Sequence, residues 1–136
     1  MLAPMTTLTR VTLWLAAALF LAFGLAILIQ PELLSGMGLP VQPVWRTELR
    51  AFYGGLEIGL AAFLILCARR PAWALPGLVA AALLMGGVGS ARLLGMALDG
   101  FQKNMVIAMV SELAACALAT VAALRESGPS AARPGA

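Results

Sequence analysis

Arg50, Tyr53, Glu57, Arg92, Ser111 and Glu112 are the side chains of this chain best equipped for chemistry, and all six lie inside or at the mouth of apolar runs. Two guanidinium groups could hold an anionic headgroup, two carboxylates could bind or relay a proton, and a phenol and a hydroxyl could donate hydrogen bonds. Ionisable groups within apolar segments are rare and tend to mark ligand or proton sites. The competing explanation is that opposite charges pair only to staple helices together, since charges in lipid almost always find partners. The staple carries somewhat more weight than the site, and the two roles are compatible.

The elements that must position these groups follow from composition. Of 136 residues, 62% are hydrophobic and only 11% are charged, with a mean hydropathy of +0.96. A soluble domain carries about 25% charged residues, so this chain lacks the polar groups to cover itself in water. A bilayer core requires about 20 mostly apolar residues per helix. Four segments meet that need: 11–29, 50–67, 73–94 and 105–124. The expected fold is all-α, a four-helix transmembrane bundle forming one membrane domain over residues 1–126. Residues 127–136 are rich in Gly, Pro and Ser and read as a disordered tail. The first span exceeds an ordinary signal-peptide core and lacks a small-residue cleavage site, so it reads as a retained helix.

Orientation follows from the arginines. Arg10, Arg69, Arg70, Arg125 and Arg133 fall on one side of the four-span arrangement, against Arg46 and Lys103 on the other. The positive-inside rule then places both termini in the cytoplasm. Trp14 and Trp73 fall near that face and Trp45 near the outer one. The scattered arginines exclude the clustered basic stripe of a nucleic-acid binder. With no histidine and two isolated cysteines, Cys67 and Cys116, no zinc or haem-attachment site can be assembled, and neither a metal nor a cofactor is expected. The methionines read as packing residues.

In this topology Arg50, Glu57, Arg92 and Glu112 fall in one layer, the outer half of the membrane. At 1.5 Å per residue Glu57 lies about 10 Å below Arg50, and Glu112 about 10 Å below Met105. On an uninterrupted α-helix Arg46, Arg50, Tyr53 and Glu57 share one face, with Glu48, Gly55 and Gly59 opposite. The Gly55–Gly59 spacing, with Gly86 and Ser90 in the third span, would let neighbouring helices approach closely. Asp99-Gly100 reads as the reversal between the third and fourth spans rather than as a catalytic pair.

The blocks ELRAFYGGLEIGLAAF (Glu48–Phe63), GSARLLGMALDG (Gly89–Gly100) and SEL (Ser111–Leu113) resemble those of a bacterial family of unknown function. Its members are small four-helix membrane proteins, DoxX-like in general appearance. The resemblance extends over nearly the whole chain. It implies four spans and a bacterial inner-membrane location, and it makes Glu48, Arg50, Tyr53, Gly54, Gly55, Arg92, Asp99, Gly100 and Glu112 motif positions. It brings no established activity, so no catalytic residue is carried over.

The expected function is that of a non-enzymatic multi-pass membrane protein that binds a small amphiphile beside membrane lipids, or serves as an accessory subunit or homo-oligomer. The alternatives are a small proton-coupled transporter working through Glu57 and Glu112, and an intramembrane enzyme with a glutamate as acid/base. The last lacks any nucleophile–base pair or phosphate loop in the sequence.

Overall fold

A computed structural model of the chain describes residues 5–37 and 42–128. Helix α1 spans Thr7–Ile29, α2 spans Pro43–Arg69, α3 spans Ala74–Asp99 and α4 spans Lys103–Ser127. All four are long and apolar enough to cross a membrane, and there is no strand among the described residues. A 3₁₀ segment, Pro31–Met37, follows α1, and a short one, Pro71–Trp73, precedes α3.

Local chemistry sets the ends. Thr6 caps α1, its hydroxyl accepting from the Thr9 N–H at 3.1 Å. This satisfies one of the donors that a helix start leaves free. Pro31 ends the same helix, because it has no N–H to continue the ladder. Gly100 closes α3 at φ +101°, ψ 156°, a conformation that a side chain would strain, and α4 begins three residues later. The Asp99-Gly100 reversal thus has its reason in Gly100.

α2 departs from expectation at its start. It begins at Pro43, seven residues before the apolar run, inside what reads from sequence as a loop. Pro43 stands at the first helical position, where its fixed φ favours helix and its missing N–H leaves nothing unsatisfied. Hydropathy cannot detect this turn, because Arg46, Thr47 and Glu48 are polar. Residues 38–41 of the expected loop, including Pro40, lie outside the described residues, as do residues 129–136 of the expected tail.

A second departure lies within α2. Residues Arg50–Gly55 form a π-helical turn between α-helical stretches Pro43–Leu49 and Leu56–Arg69, and the Leu56 N–H reaches back five residues to the Ala51 carbonyl. A π-turn acts as an inserted residue, so side chains beyond it are out of phase by about 100° with those before it.

The four helices pack as two hairpins: α1 lies chiefly along α2, and α3 along α4. One end of the bundle carries both helical termini and the Arg69-Arg70 turn. The other carries the two remaining connections. The core occupies the termini end. Leu13, Ala17 and Phe20 of α1 meet Ala61, Leu64 and Cys67 of α2, and these meet Ala74, Leu78 and Ala81 of α3 and Ala119 and Ala122 of α4. In lipid there is no hydrophobic drive between helices, so small residues that let backbones approach must do the packing. The alanines meet that need. Gly77 is the extreme case: a Cβ there would fall 2.5 Å from the Cys67 Cβ and 3.0 Å from Leu13. The two hairpins are held together here.

At the loop end the close approaches are made within each hairpin. Gly24 of α1 faces Gly54, Glu57 and Ile58 of α2, and a Cβ on Gly54 would fall 3.1 Å from the Leu28 Cα. In the other hairpin, Gly89 of α3 admits Leu113 of α4. The bundle is therefore packed across all four helices at one end and only pairwise at the other. The titratable groups predicted from sequence lie at the pairwise end.

Candidate functional site

Arg92 and Glu112 meet across the α3–α4 hairpin. The guanidinium donates from Nε to Oε2 at 3.0 Å and from Nη2 to Oε1 at 2.8 Å. This parallel fork is the strongest geometry open to an arginine and a carboxylate. The third donor, Nη1, points to the Met105 sulfur at 3.1 Å. All three arginine nitrogens thus have an intramolecular partner. An open hollow of about 210 Å³ lies beside the pair, with Asp99, Gln102 and Met105 among its walls.

Arg50 does something different. Its Nε donates to the Leu28 backbone carbonyl at 3.1 Å. Leu28 is in the last turn of α1, where carbonyls lack intrahelical partners and the helix dipole favours a cation. Arg50 is therefore a side-chain cap for α1. Arg46, one turn earlier, pairs with Glu32 of the 3₁₀ segment at 3.0 Å, both side chains being nearly half exposed.

Glu57 is half-buried, and no hydrogen bond or ion pair reaches its carboxylate among the described residues. Its Cβ packs on α1 at Gly24. Tyr53 is 41% exposed, without a hydrogen bond among the described residues, and lies within electrostatic range of Arg92. Ser111 does not join this group. It is exposed and its hydroxyl donates to the Ala108 carbonyl of its own helix at 2.7 Å.

An open groove of about 690 Å³ runs along α2 at the loop end. Trp45, Leu49, Phe52 and Leu56 supply its apolar wall, and Glu48, Tyr53 and Glu57 its polar groups. The positions of Trp45, Leu49, Tyr53 and Glu57, with Glu48, Phe52 and Leu56 between them, recur every four residues, a longer period than the roughly 3.6 of an α-helix. The π-turn makes them one face. In uninterrupted α-helix Glu48 stands opposite Tyr53 and Glu57. With i and i+5 brought into line, Glu48 joins Tyr53 on the groove side, and Arg50 is turned toward α1. The expected stripe of Arg46, Arg50, Tyr53 and Glu57 is thus replaced by one of Glu48, Tyr53 and Glu57. A π-turn commonly accompanies a functional site.

The four charged groups expected to share one layer do not form one cluster. Arg92 and Glu112 pair, Arg50 caps a helix and Glu57 stands apart. Of the predicted packing positions, Gly86 contacts Cys116, whose Sγ would lie 3.0 Å from an added Cβ. A Cβ on Gly59 would meet nothing within 4 Å, a Cβ on Gly55 would meet only its own helix's Arg50 carbonyl at 3.8 Å, and Ser90 is exposed. The close approach in α2 is made at Gly54, one residue before Gly55, again because the π-turn shifts the phase.

Sequence reasoning missed a polar contact at the termini end. The Thr9 hydroxyl donates to Glu126 at 2.5 Å and lies 2.9 Å from the Thr6 hydroxyl, tying the start of α1 to the end of α4. Threonines at a helix start ordinarily serve their own backbone, so sequence carries no sign of this link. At the same end Arg69 lies over the Trp14 ring and Arg70 over Trp73, at 5.9 and 5.6 Å. Both cysteines are free, and no three metal-ligating side chains come together among the described residues.

Helices of this length and hydropathy, packed through alanine and glycine, define an integral membrane protein of the four-helix bundle class. The chain belongs to the family described as domain of unknown function (DUF4345), whose model matches residues 8–123. The match runs from the first turn of α1 to near the end of α4 and includes every group of the candidate site. Neither a curated protein nor a solved structure matches the chain.

Proposed function

We propose that this protein is a non-enzymatic component of a bacterial inner membrane, with both termini cytoplasmic, that holds a small amphiphile in the groove along α2. The observation that carries this reading is the groove itself. It is of the size that small-molecule sites usually have, roughly 300–1,000 Å³. It combines an apolar wall with a few polar groups, and it lies where the bundle is packed only in pairs. The arginine excess at the termini end, Arg10, Arg69, Arg70 and Arg125, supports the orientation, which opens the groove to the outer half of the bilayer. A ligand entering from lipid needs no aqueous path through the bundle. The packed core at the termini end supports binding over transport for the same reason, since a through-path would have to part Leu13, Leu64 and Leu78.

Native mass spectrometry of protein extracted from its own membrane tests the reading. A retained small molecule is expected in the wild type and lost in Leu56→Trp, which fills the groove at a side chain that is 55% exposed. Wild-type protein that is ligand-free from several lipid backgrounds sinks it.

A further inference from the structure

We infer that the occupant of the α2 groove is a cationic amphiphile, an alkyl chain bearing an amine or quaternary ammonium headgroup. This rests on the amphiphile-binding reading and adds the sign of the charge. The polar groups of the groove are two carboxylates, Glu48 and Glu57, and one phenol, Tyr53. Among the described residues no cationic side chain lines it. The two arginines within this stretch of α2 bond elsewhere, Arg46 with Glu32 and Arg50 with the Leu28 carbonyl, and Arg92 of α3 is held by Glu112. An anionic headgroup would therefore face two carboxylates without a guanidinium to receive it.

The geometry suits a cation in a second way. Glu48 lies at the exposed start of α2, and Glu57 nine residues further along the helix, beyond the π-turn. Phe52 and Tyr53 line the path between them, and Trp45 stands about one turn before Glu48 at the rim. Aromatic faces attract ammonium groups most strongly where water is excluded, and such rings are how quaternary ammonium ligands are commonly held. Glu48 draws the headgroup in at the rim, the rings pass it inward and Glu57 receives it. The alkyl chain lies on Leu49 and Leu56. The ligand supplies the positive partner that the Glu57 carboxylate lacks among the described residues, as a charge inside an apolar medium requires.

The test uses the full chain in phosphatidylcholine nanodiscs at about 150 mM salt, where long-range attraction is screened. Two nitroxide-labelled hexadecyl probes, identical but for a trimethylammonium or a phosphate headgroup, are titrated, and the immobilised fraction is read by electron paramagnetic resonance. The ammonium probe is expected to bind about tenfold more tightly than the phosphate probe, a preference of the size one well-placed ion pair supplies. Glu57→Gln should bring the ratio close to one, and Glu48→Gln should reduce it by a smaller factor. Leu56→Trp should abolish saturable binding of both. Glu48 is exposed, so Glu48→Gln reports even where Glu57→Gln fails to fold. Equal or tighter binding of the phosphate probe, or an undiminished ammonium preference in Glu48→Gln and Glu57→Gln together, overturns the cation assignment and leaves the groove as an amphiphile site. Absence of any saturable, Leu56→Trp-sensitive immobilisation overturns both.

Discussion

Arg92 holds Glu112 through two parallel hydrogen bonds, 3.0 and 2.8 Å long, and so ties α3 to α4 at the end where the two hairpins are not packed against each other. Breaking a buried pair by removing one partner strands the other charge and destabilises by about 3–5 kcal/mol. These side chains remain 26% and 15% exposed, so the loss expected for Arg92→Ala is smaller, about 1–3 kcal/mol. The melting temperature in mild detergent should fall accordingly. Arg92→Lys should recover only part of it, because an ammonium cannot make the fork. The exchange Arg92→Glu with Glu112→Arg should melt higher than either single change. An exchange no more stable than the worse single variant rules out a pairwise staple.

The glycines provide an internal contrast. An added Cβ at Gly77 meets Cys67 at 2.5 Å and Leu13 at 3.0 Å, while at Gly59 it meets nothing within 4 Å. Gly77→Ala should overpack the junction between hairpins and destabilise by about 1–3 kcal/mol. Gly59→Ala should be neutral or raise stability by up to about 1 kcal/mol, since alanine is the better helix former. Thermal melts of the two variants side by side decide the point. A loss at Gly59 matching that at Gly77 would mean that Gly59 packs against a second copy.

That contrast marks what the sequence could and could not convey. The four spans were legible because each must bury backbone in lipid, and apolar length records that directly. The Asp99-Gly100 reversal was legible because Gly100 needs a positive φ. The π-turn was not, and it alone moved the groove face from Arg50 to Glu48 and the packing glycine from Gly55 to Gly54. Hydropathy has no term for an inserted residue, and a 100° wheel assumes none. Nor could residue types state which charges pair. Arg50, Arg92, Glu57 and Glu112 were equally available to one another, and the hairpin pairing assigned one ion pair, one carbonyl cap and one carboxylate without a partner among the described residues.

Arg50 offers a test of the cap. Its bond to the Leu28 carbonyl should protect the last turn of α1, where the Gln30 N–H already bonds to the Ala26 carbonyl at 2.8 Å. Arg50→Ala should cost about 0.5–1.5 kcal/mol, the usual net value of one hydrogen bond, because the contact is exposed. Hydrogen–deuterium exchange should quicken in the α1 end and the 3₁₀ segment and stay unchanged in α3 and α4. Faster exchange across the α3–α4 hairpin instead would show that Arg50 works through Arg92 or Glu112.

Glu57 and Glu112 are both half-buried glutamates within the spans at the pairwise end, and their surroundings predict opposite responses to the same change. Glu112→Gln removes half of an ion pair and should lower the melting temperature. Glu57→Gln removes a carboxylate without a partner from an apolar segment and should leave stability unchanged or raise it by about 1–2 kcal/mol, since an unpaired polar charge opposes burial. Sites that bind ligands often sacrifice stability in this way, so a gain in stability with a loss of cation binding would place Glu57 in the ligand's path. A drop in stability equal to that of Glu112→Gln would instead mean that Glu57 holds the hairpin together. The same variant separates binding from transport. Proton flux into liposomes above the protein-free rate, abolished by Glu57→Gln, would favour a transporter; the packed core of Leu13, Leu64 and Leu78 leads us to expect no such flux.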